Sequence, residues 1–485
     1  MEMYNLEWKP NESSKIPLYQ QIYEFMKKKI MNGEWTLGTK IPPQRRLAHE
    51  FKVNRSTIVT ALDELAADGL IESKVGRGTV VINNTWSIIS STSPPDWRIY
   101  VKSGTHQPNQ SIIQDINQTE IRSDIIRLGT GELSPELLPS KKMKSVFQNN
   151  TEQALSLGYT EPKGTLYLRE TICNHLKTKG IEVTPPSVLI VSGGLQALQL
   201  VSLGLLHKGS TIFHETPSYL TSVNVFQSAG MNLFEIPMDN EGVKTDLLGR
   251  LKRQHNGTLF YTIPSFHNPT GILMSNNRRK QLLDVCSKER LPILEDDVYG
   301  DLWFEQPIPK PLKAQDKQGL VLYMGSMSKT LSPGLRIGWL VGPEPVIDRL
   351  SDIKMQTDYG SSSLSQFAVA EWLASGLYDK HIIHIRKELK DRRDLTLHIL
   401  DKYFSEVATW NNPEGGFYIW LKLNVKGSMD KLFKKALKEG ILLNPGNIYD
   451  RNDSSHIRIS YSYATPKQLE KGLIKLSQLI KENRD

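Results

Sequence analysis

Apolar side chains recur at helical spacing near the start of the chain. Leu18, Ile22, Phe25, Met26 and Ile30 share one face, which predicts an amphipathic helix over 17–31 that Gly33 ends. A short helix is expected from about Gln44 to Phe51. After a turn at Lys52-Val53, Asn54 is the expected N-cap of another helix, which carries Ile58, Ala61, Leu62 and Leu65 inward and stops at Gly69. Two β-prone arms, Leu70 to Lys74 and Thr79 to Val81, flank a Gly76-Arg77-Gly78 turn and predict a hairpin. The pattern then dissolves into a stretch rich in Ser, Thr, Asn, Pro and Gln. From about residue 125, short apolar runs (Val188–Val191, Thr211–Phe213, Leu259–Thr262, Pro292–Leu294) alternate with helical segments, which predicts an α/β domain with a mostly parallel sheet. The division is a compact unit over 15–84, a linker over 85–124 and a large domain over 125–485.

Composition changes this picture little. The chain has 485 residues, 39% hydrophobic and 23% charged, as expected of a soluble protein of two or three domains. No apolar run approaches the about 20 residues that span a bilayer, and Met1 to Pro10 lacks the apolar core of a signal peptide. A cytoplasmic protein without a membrane partner is expected. Two cysteines, Cys173 and Cys286, make no disulfide framework, and no Cys/His cluster has metal-ligand spacing, so no metal is expected. A net charge of +8 permits an anionic partner.

Where the charge lies is more telling. Between Lys40 and Ile58 stand Lys40, Arg45, Arg46, Lys52 and Arg55 against one acid, Glu50. Helix, helix, turn, helix and wing is the order of a winged helix-turn-helix, an α+β unit that sets its second motif helix in the major groove of double-stranded DNA. Arg55 at the start of that helix can fork onto a guanine or a phosphate, and Ser56 and Thr57 can bond phosphate from the first turn. The segments Ile41-Pro42-Pro43-Gln44-Arg45-Arg46-Leu47-Ala48, Val53 to Ile58, and Gly76 to Thr79 resemble the GntR-type winged helix. That resemblance implies DNA contacts at Arg45, Arg55, Thr57 and the wing around Gly76, Arg77 and Gly78. Val59 stands where some relatives carry a DNA-contacting Arg, so the operator sequence does not follow.

In the large domain, Ser326-Met327-Ser328-Lys329 is followed by Arg336. A lysine at a strand end, beside hydroxyls and a guanidinium, suits a covalently held aldehyde cofactor with a phosphate. Ser192-Gly193-Gly194 between a strand and a helix would let backbone N–H groups approach that phosphate. Asp296 or Asp297, at a strand end, could keep a cofactor ring nitrogen protonated; the spacing of three to Tyr299 favours Asp296. Together with His267 to Gly271, these pieces resemble fold-type-I pyridoxal 5'-phosphate enzymes of the aminotransferase family over about 125–483, with a smaller C-terminal subdomain. The resemblance implies that Lys329 forms the internal aldimine and Asp296 pairs with the pyridinium. Asn268 and Tyr299 would bond the phenolic oxygen, Tyr219 would stack on the ring, and Gly194, Leu195, Gln196, Ser326 and Arg336 would hold the phosphate. Tyr159 would reach the phosphate of a second subunit, which implies a homodimer, and Arg458 would clamp a carboxylate.

The two halves in one chain resemble the MocR subfamily of GntR regulators. This implies a transcription regulator whose aminotransferase-like domain senses an amino acid, an amine or the cofactor itself. Every group that transamination needs is present in the sequence, so the alternative is a working aminotransferase with a DNA-binding appendage.

Overall fold

A computed structural model describes residues 8–74, 78–83, 97, 109–149, 158–424 and 427–482. The chain divides into two units, Met1–Gly104 and Thr105–Asp485. Gly76, Arg77 and much of the expected linker lie outside the described residues.

In the small unit three helices, Leu18–Met31, Gln44–Phe51 and Arg55–Ala67, are followed by β1 (Ile71–Lys74) and β2 (Gly78–Val81), an antiparallel pair. Ile22, Met26, Ile30, Leu47, Phe51, Ile58 and Leu65 are buried together, as the periodicity requires. Lys52 makes the turn in the left-handed region (φ 57°), and its neighbour Val53 donates back to the Ala48 carbonyl at 3.0 Å. Asn54 has the extended backbone of an N-cap, but its side chain makes no capping bond, contrary to expectation. Packing also begins before residue 15. Trp8 stacks on Phe25 with centroids 4.5 Å apart and meets Phe51 edge-on.

The large unit is built on an eight-stranded sheet. In chain order, after the short β3 (Ile126–Arg127), its strands are β4 (Val188–Val191), β5 (Thr211–Thr216), β6 (Asn232–Asp239), β7 (Gly242–Val243), β8 (Gly257–Thr262), β9 (Ile293–Asp296), β10 (Val321–Ser326) and β11 (Gly338–Val341). Their spatial order is 4-11-10-9-8-5-6-7. Only β11 and the edge strand β7 run against the rest. The inner strands are mostly apolar because helices cover both faces of such a sheet, with polar residues such as His214, Glu215, Glu295 and Asp296 toward their carboxyl ends. A smaller antiparallel sheet of β12 (Ala408–Trp410), β13 (Tyr418–Leu423), β15 (Asn444–Pro445) and β16 (His456–Ser460) follows, while β14 (Ile441–Leu442) pairs with β3. The stretch read as linker is not linker to its end. Ser111–Thr119 is a helix whose Ile116 is buried in the large unit's core. No helix among the described residues is long and apolar enough to cross a membrane.

Candidate functional site

In open α/β sheets ligands bind beyond the carboxyl ends of the strands. The sheet delivers the predicted residues there. Gly194 follows β4, Tyr219 follows β5, Asn268 follows β8, Asp296 ends β9, and Ser326 ends β10 just before Lys329. All six line one cavity of about 360 Å³, joined by Leu195, Tyr299, Arg336 and Arg458.

Lys329 is half-buried, and its Nζ donates to the Gly131 carbonyl at 2.8 Å. A Cβ at position 131 would stand 2.2 Å from the Tyr418 hydroxyl, so only glycine lets that carbonyl reach the lysine. Asp296 is nearly sealed from solvent. Burial pushes its carboxyl up to about 7, although the Tyr261 hydroxyl donates to Oδ2 at 2.7 Å and opposes the rise. A carboxylate so placed gains most from a cationic N–H. The sheet's pleat separates the neighbouring acids, since successive residues of a strand face opposite sides. Glu295 accepts the backbone amides of Leu312 and Lys313, both at 2.8 Å. Asp297 accepts the Tyr323 hydroxyl at 2.8 Å and lies 3.5 Å from the Lys179 ammonium. Neither lines the cavity, so of the two acids left open by the sequence only Asp296 faces it.

A cup forms where the sequence placed it. Gly193 has φ 85°, and a Cβ there would come within 2.7 Å of Arg336 Nη2. Arg336 donates to the Ser192 carbonyl at 2.6 Å, which swings its guanidinium over the cup. Ser326 and Ser328 are hydrogen bonded to each other at 3.0 Å at the opposite wall. The helix Gly194–Leu205 opens at this point with no side-chain cap. Its first-turn N–H groups and an arginine are the donor set of a phosphate site. Gln196 Oε1 accepts from the Ser192 amide at 2.7 Å and its Nε2 donates to Asp358 at 3.0 Å, so its side chain braces the cup while its backbone amide stays in the first turn of the helix.

Arg458 is buried at the far end. It donates to Asn268 Oδ1 at 2.7 Å and to the Gly129 carbonyl at 2.6 Å, and stacks over Tyr418 and Tyr449. Its Nε is buried without a hydrogen-bond partner, an orphan that a carboxylate would satisfy. Tyr299 and Tyr418 share a hydrogen bond at 3.0 Å. Tyr159 is 86% exposed and outside the cavity, its ring 5.2 Å from that of Tyr359. Tyr261, Tyr418 and Gly131 were missed from sequence. Gly129-Thr130-Gly131 was a detectable signal; the tyrosines read as ordinary strand residues.

On the small unit Arg45, Arg55 and Ser56 are exposed and Thr57 is half-buried. Arg55 Nε and Nη2 both donate to Gln44 Oε1, at 3.2 and 3.0 Å, so a neutral amide orients the guanidinium without cancelling its charge. Arg46 instead pairs with Glu50 at 2.7 Å.

Residues 18–81 match the gntR family of bacterial regulatory proteins, and residues 123–476 match aminotransferase class I and II. The chain is 56% identical over 467 residues to YisV of Bacillus subtilis, an uncharacterized HTH-type transcriptional regulator, covering 96% of each chain. It is 37% identical over 454 residues to the HTH-type transcriptional regulator NorG of Staphylococcus aureus, covering 91% of this chain and all of NorG. Kynurenine aminotransferase of Pyrococcus horikoshii, solved with PMP, superposes with a TM-score of 0.74 at 31% identity, over 78% of this chain and 96% of that one. The chain therefore belongs to the HTH-type transcriptional regulators in which a gntR-family winged helix is joined to an aminotransferase class I and II domain, the architecture of the MocR subfamily.

Proposed function

We propose that this regulator is a cytoplasmic homodimer that holds pyridoxal 5'-phosphate in the large unit and changes its grip on operator DNA when an amine or amino acid enters the same site. The observation that carries the reading is the convergence on one cavity of Lys329, Asp296, Arg336 and an Arg458 whose Nε is buried without a hydrogen-bond partner among the described residues. Bound pyridoxal phosphate supplies an aldehyde that condenses with amines and a ring nitrogen that draws electrons when protonated. Asp296 holds the proton on that nitrogen. Arg336, Ser326 and the amides at the start of the Gly194–Leu205 helix bind the phosphate. Tyr219 would cover the ring, and Asn268 and Tyr299 would hold its phenolic oxygen. Lys329 would hold the aldehyde in competition with an effector amine, and Arg458 would receive the effector's carboxylate. The exposed Tyr159 fits a role at the phosphate of a second subunit. Arg45, Arg55, Ser56, Thr57 and the wing, from Gly76 through Arg77 to Gly78, contact DNA.

The test is the absorption spectrum of the purified protein titrated with amino acids and amines. A band that shifts and persists identifies the effector. Decay to the pyridoxamine form, with recovery on adding a keto acid, makes the protein a working aminotransferase instead. Lys329→Ala should keep DNA binding and lose the effector response. An unchanged response would refute the displacement of Lys329 as the signal.

A further inference from the structure

Beside the inner cavity lies a second, of about 620 Å³. The two share Glu120, Leu195, Tyr219 and Arg458 as lining residues, so they meet at the arginine. One wall of the outer chamber is the helix Ser111–Thr119, which contributes Ile113, Ile116 and Asn117. The facing walls include Leu203, Val225 and Ile448. Among the described lining residues the only charges are Glu120 and Arg458, both at the junction. Beyond it the walls mix aliphatic side chains with about as many uncharged amides and hydroxyls.

Resting on the sensor reading above, we infer that the effector is an α-amino acid with a bulky uncharged side chain, which fills the outer chamber against the Ser111–Thr119 helix and signals through it. The inner cavity is near the small end of the about 300–1,000 Å³ range of small-molecule sites, so a cofactor fills most of it. An amino acid whose amine points inward and whose carboxylate meets Arg458 has its side chain directed outward. An acidic side chain would pass Glu120 and find no second cation in the chamber. A basic one would find no carboxylate among the described lining residues beyond Glu120 at the junction. A neutral apolar chain gains from the Ile113 and Leu203 walls. The helix it touches is the first described element of the large unit, and its N-terminal side continues along the chain into the segment that leads to the winged helix. Occupancy of the chamber thus acts on the element nearest in sequence to the DNA-binding unit.

The test uses the full-length cofactor-loaded protein and a DNA duplex selected by that protein from a random-sequence pool. L-phenylalanine, L-leucine, L-alanine, L-aspartate, L-glutamate and L-lysine are titrated while both the cofactor band and DNA affinity are followed. Phenylalanine or leucine should half-saturate at a concentration about tenfold or more below that of the other four, the scale set by burying one such side chain. Only the bulky pair should change DNA affinity. Ile113→Glu alters a half-buried chamber residue that the cofactor does not need. It should remove the preference for phenylalanine and leucine and leave the alanine titration in place. Three results would overturn the inference: aspartate or glutamate binding as tightly as leucine, an unchanged preference in Ile113→Glu, or alanine moving DNA affinity as far as phenylalanine. If no amino acid moves the cofactor band at all, the sensor reading itself is wrong, a separate and recognisable outcome.

Discussion

Replacing Gln44 by glutamate should cripple DNA recognition without touching the recognition helix. Gln44 Oε1 accepts two bonds from Arg55, at 3.2 and 3.0 Å. A carboxylate in that position keeps the geometry but turns a neutral brace into an exposed ion pair, itself worth only about 0–1 kcal/mol to the fold. Its effect on DNA is larger. Each phosphate charge neutralised by the protein contributes about −0.9 to the slope of log affinity against log salt. An Arg55 already paired with the introduced carboxylate forfeits one such contribution per protomer. The advantage of wild type over Q44E should then shrink by about 3.5-fold per protomer between 50 and 200 mM salt. If Arg55 also forks onto a guanine, discrimination at that base pair falls by the about 1–3 kcal/mol that a bidentate contact supplies, roughly 5- to 160-fold. Gln44→Ala separates the two effects, because it frees the guanidinium with its charge intact. Its salt slope should match wild type while base selectivity relaxes. The assay is fluorescence anisotropy against duplexes selected by the full-length chain and their single-base variants across a salt series. Parallel salt lines for wild type and Q44E, with the same base selectivity, would refute the argument that Gln44 presents Arg55.

Four further outcomes follow from the large unit. Asp297→Asn should cost up to about 3 kcal/mol in denaturant unfolding, because the half-buried Lys179 keeps only Asp301, at 2.9 Å, as partner; the cofactor spectrum should not change. Asp296→Asn should do the reverse, sparing stability and altering the spectrum, and an exchange of these results would make Asp297 the ring partner. The raised Asp296 carboxyl also gives a sign. Its folded value of about 7 exceeds its ordinary 3.8, so its favourable contribution is complete below about pH 4 and is lost as pH rises through 7. Cofactor-free wild type should therefore lose stability relative to Asp296→Asn between pH 4 and 7, with the difference levelling off above that; a flat difference in paired melts would refute it. Gly193→Ala forces a side chain into a φ 85° position 2.7 Å from Arg336, and should weaken cofactor binding about tenfold or more by equilibrium dialysis, with at least about 1 kcal/mol of strain.

Much of this site was legible where chemistry is written locally. Ser326, Lys329 and Arg336 lie within eleven residues, and Gly193-Gly194 sits at a strand-to-helix step, so spacing alone placed them at one strand end or turn. The choice between Asp296 and Asp297 was half legible. Strand alternation puts Glu295 and Asp297 on one face and Asp296 on the other, but which face holds the cavity depends on the whole sheet. Tyr261 and Tyr418 were not legible. One reaches Asp296 because β8 pairs with β9, and the other reaches Tyr299 because β13 comes from the small antiparallel sheet. The bracing role of the Gln196 side chain was not legible, because its amide reaches back to Ser192 and across to Asp358, which only the fold brings near. The Ser111–Thr119 helix was hidden by the polar residues around it; only Ile112, Ile113 and Ile116 mark its inner face.

A sensor and an aminotransferase need the same groups to capture an amino acid, so an intact set of pocket residues does not by itself separate them. What a regulator needs in addition is a difference in ligand contact between two arrangements of the chain, since a ligand shifts an equilibrium only by its differential affinity. A tenfold change in DNA affinity requires about 1.4 kcal/mol of coupling. At about 25 cal/mol per Å², that is the burial of some 55 Å² of apolar surface in one arrangement and not the other. On the proposed reading Asp296 and Arg336 would hold the cofactor in either arrangement, so beyond the exchange at Lys329 the coupling needs a further contact. A wall that touches the effector and continues toward the winged helix can supply it. Ile113 on the Ser111–Thr119 helix and the exposed Leu203 on the facing wall offer apolar surface to an occupant of the outer chamber. The regulatory energy is thus expected at the outer chamber, while the groups shared with the enzymes fix the chemistry that brings the effector there.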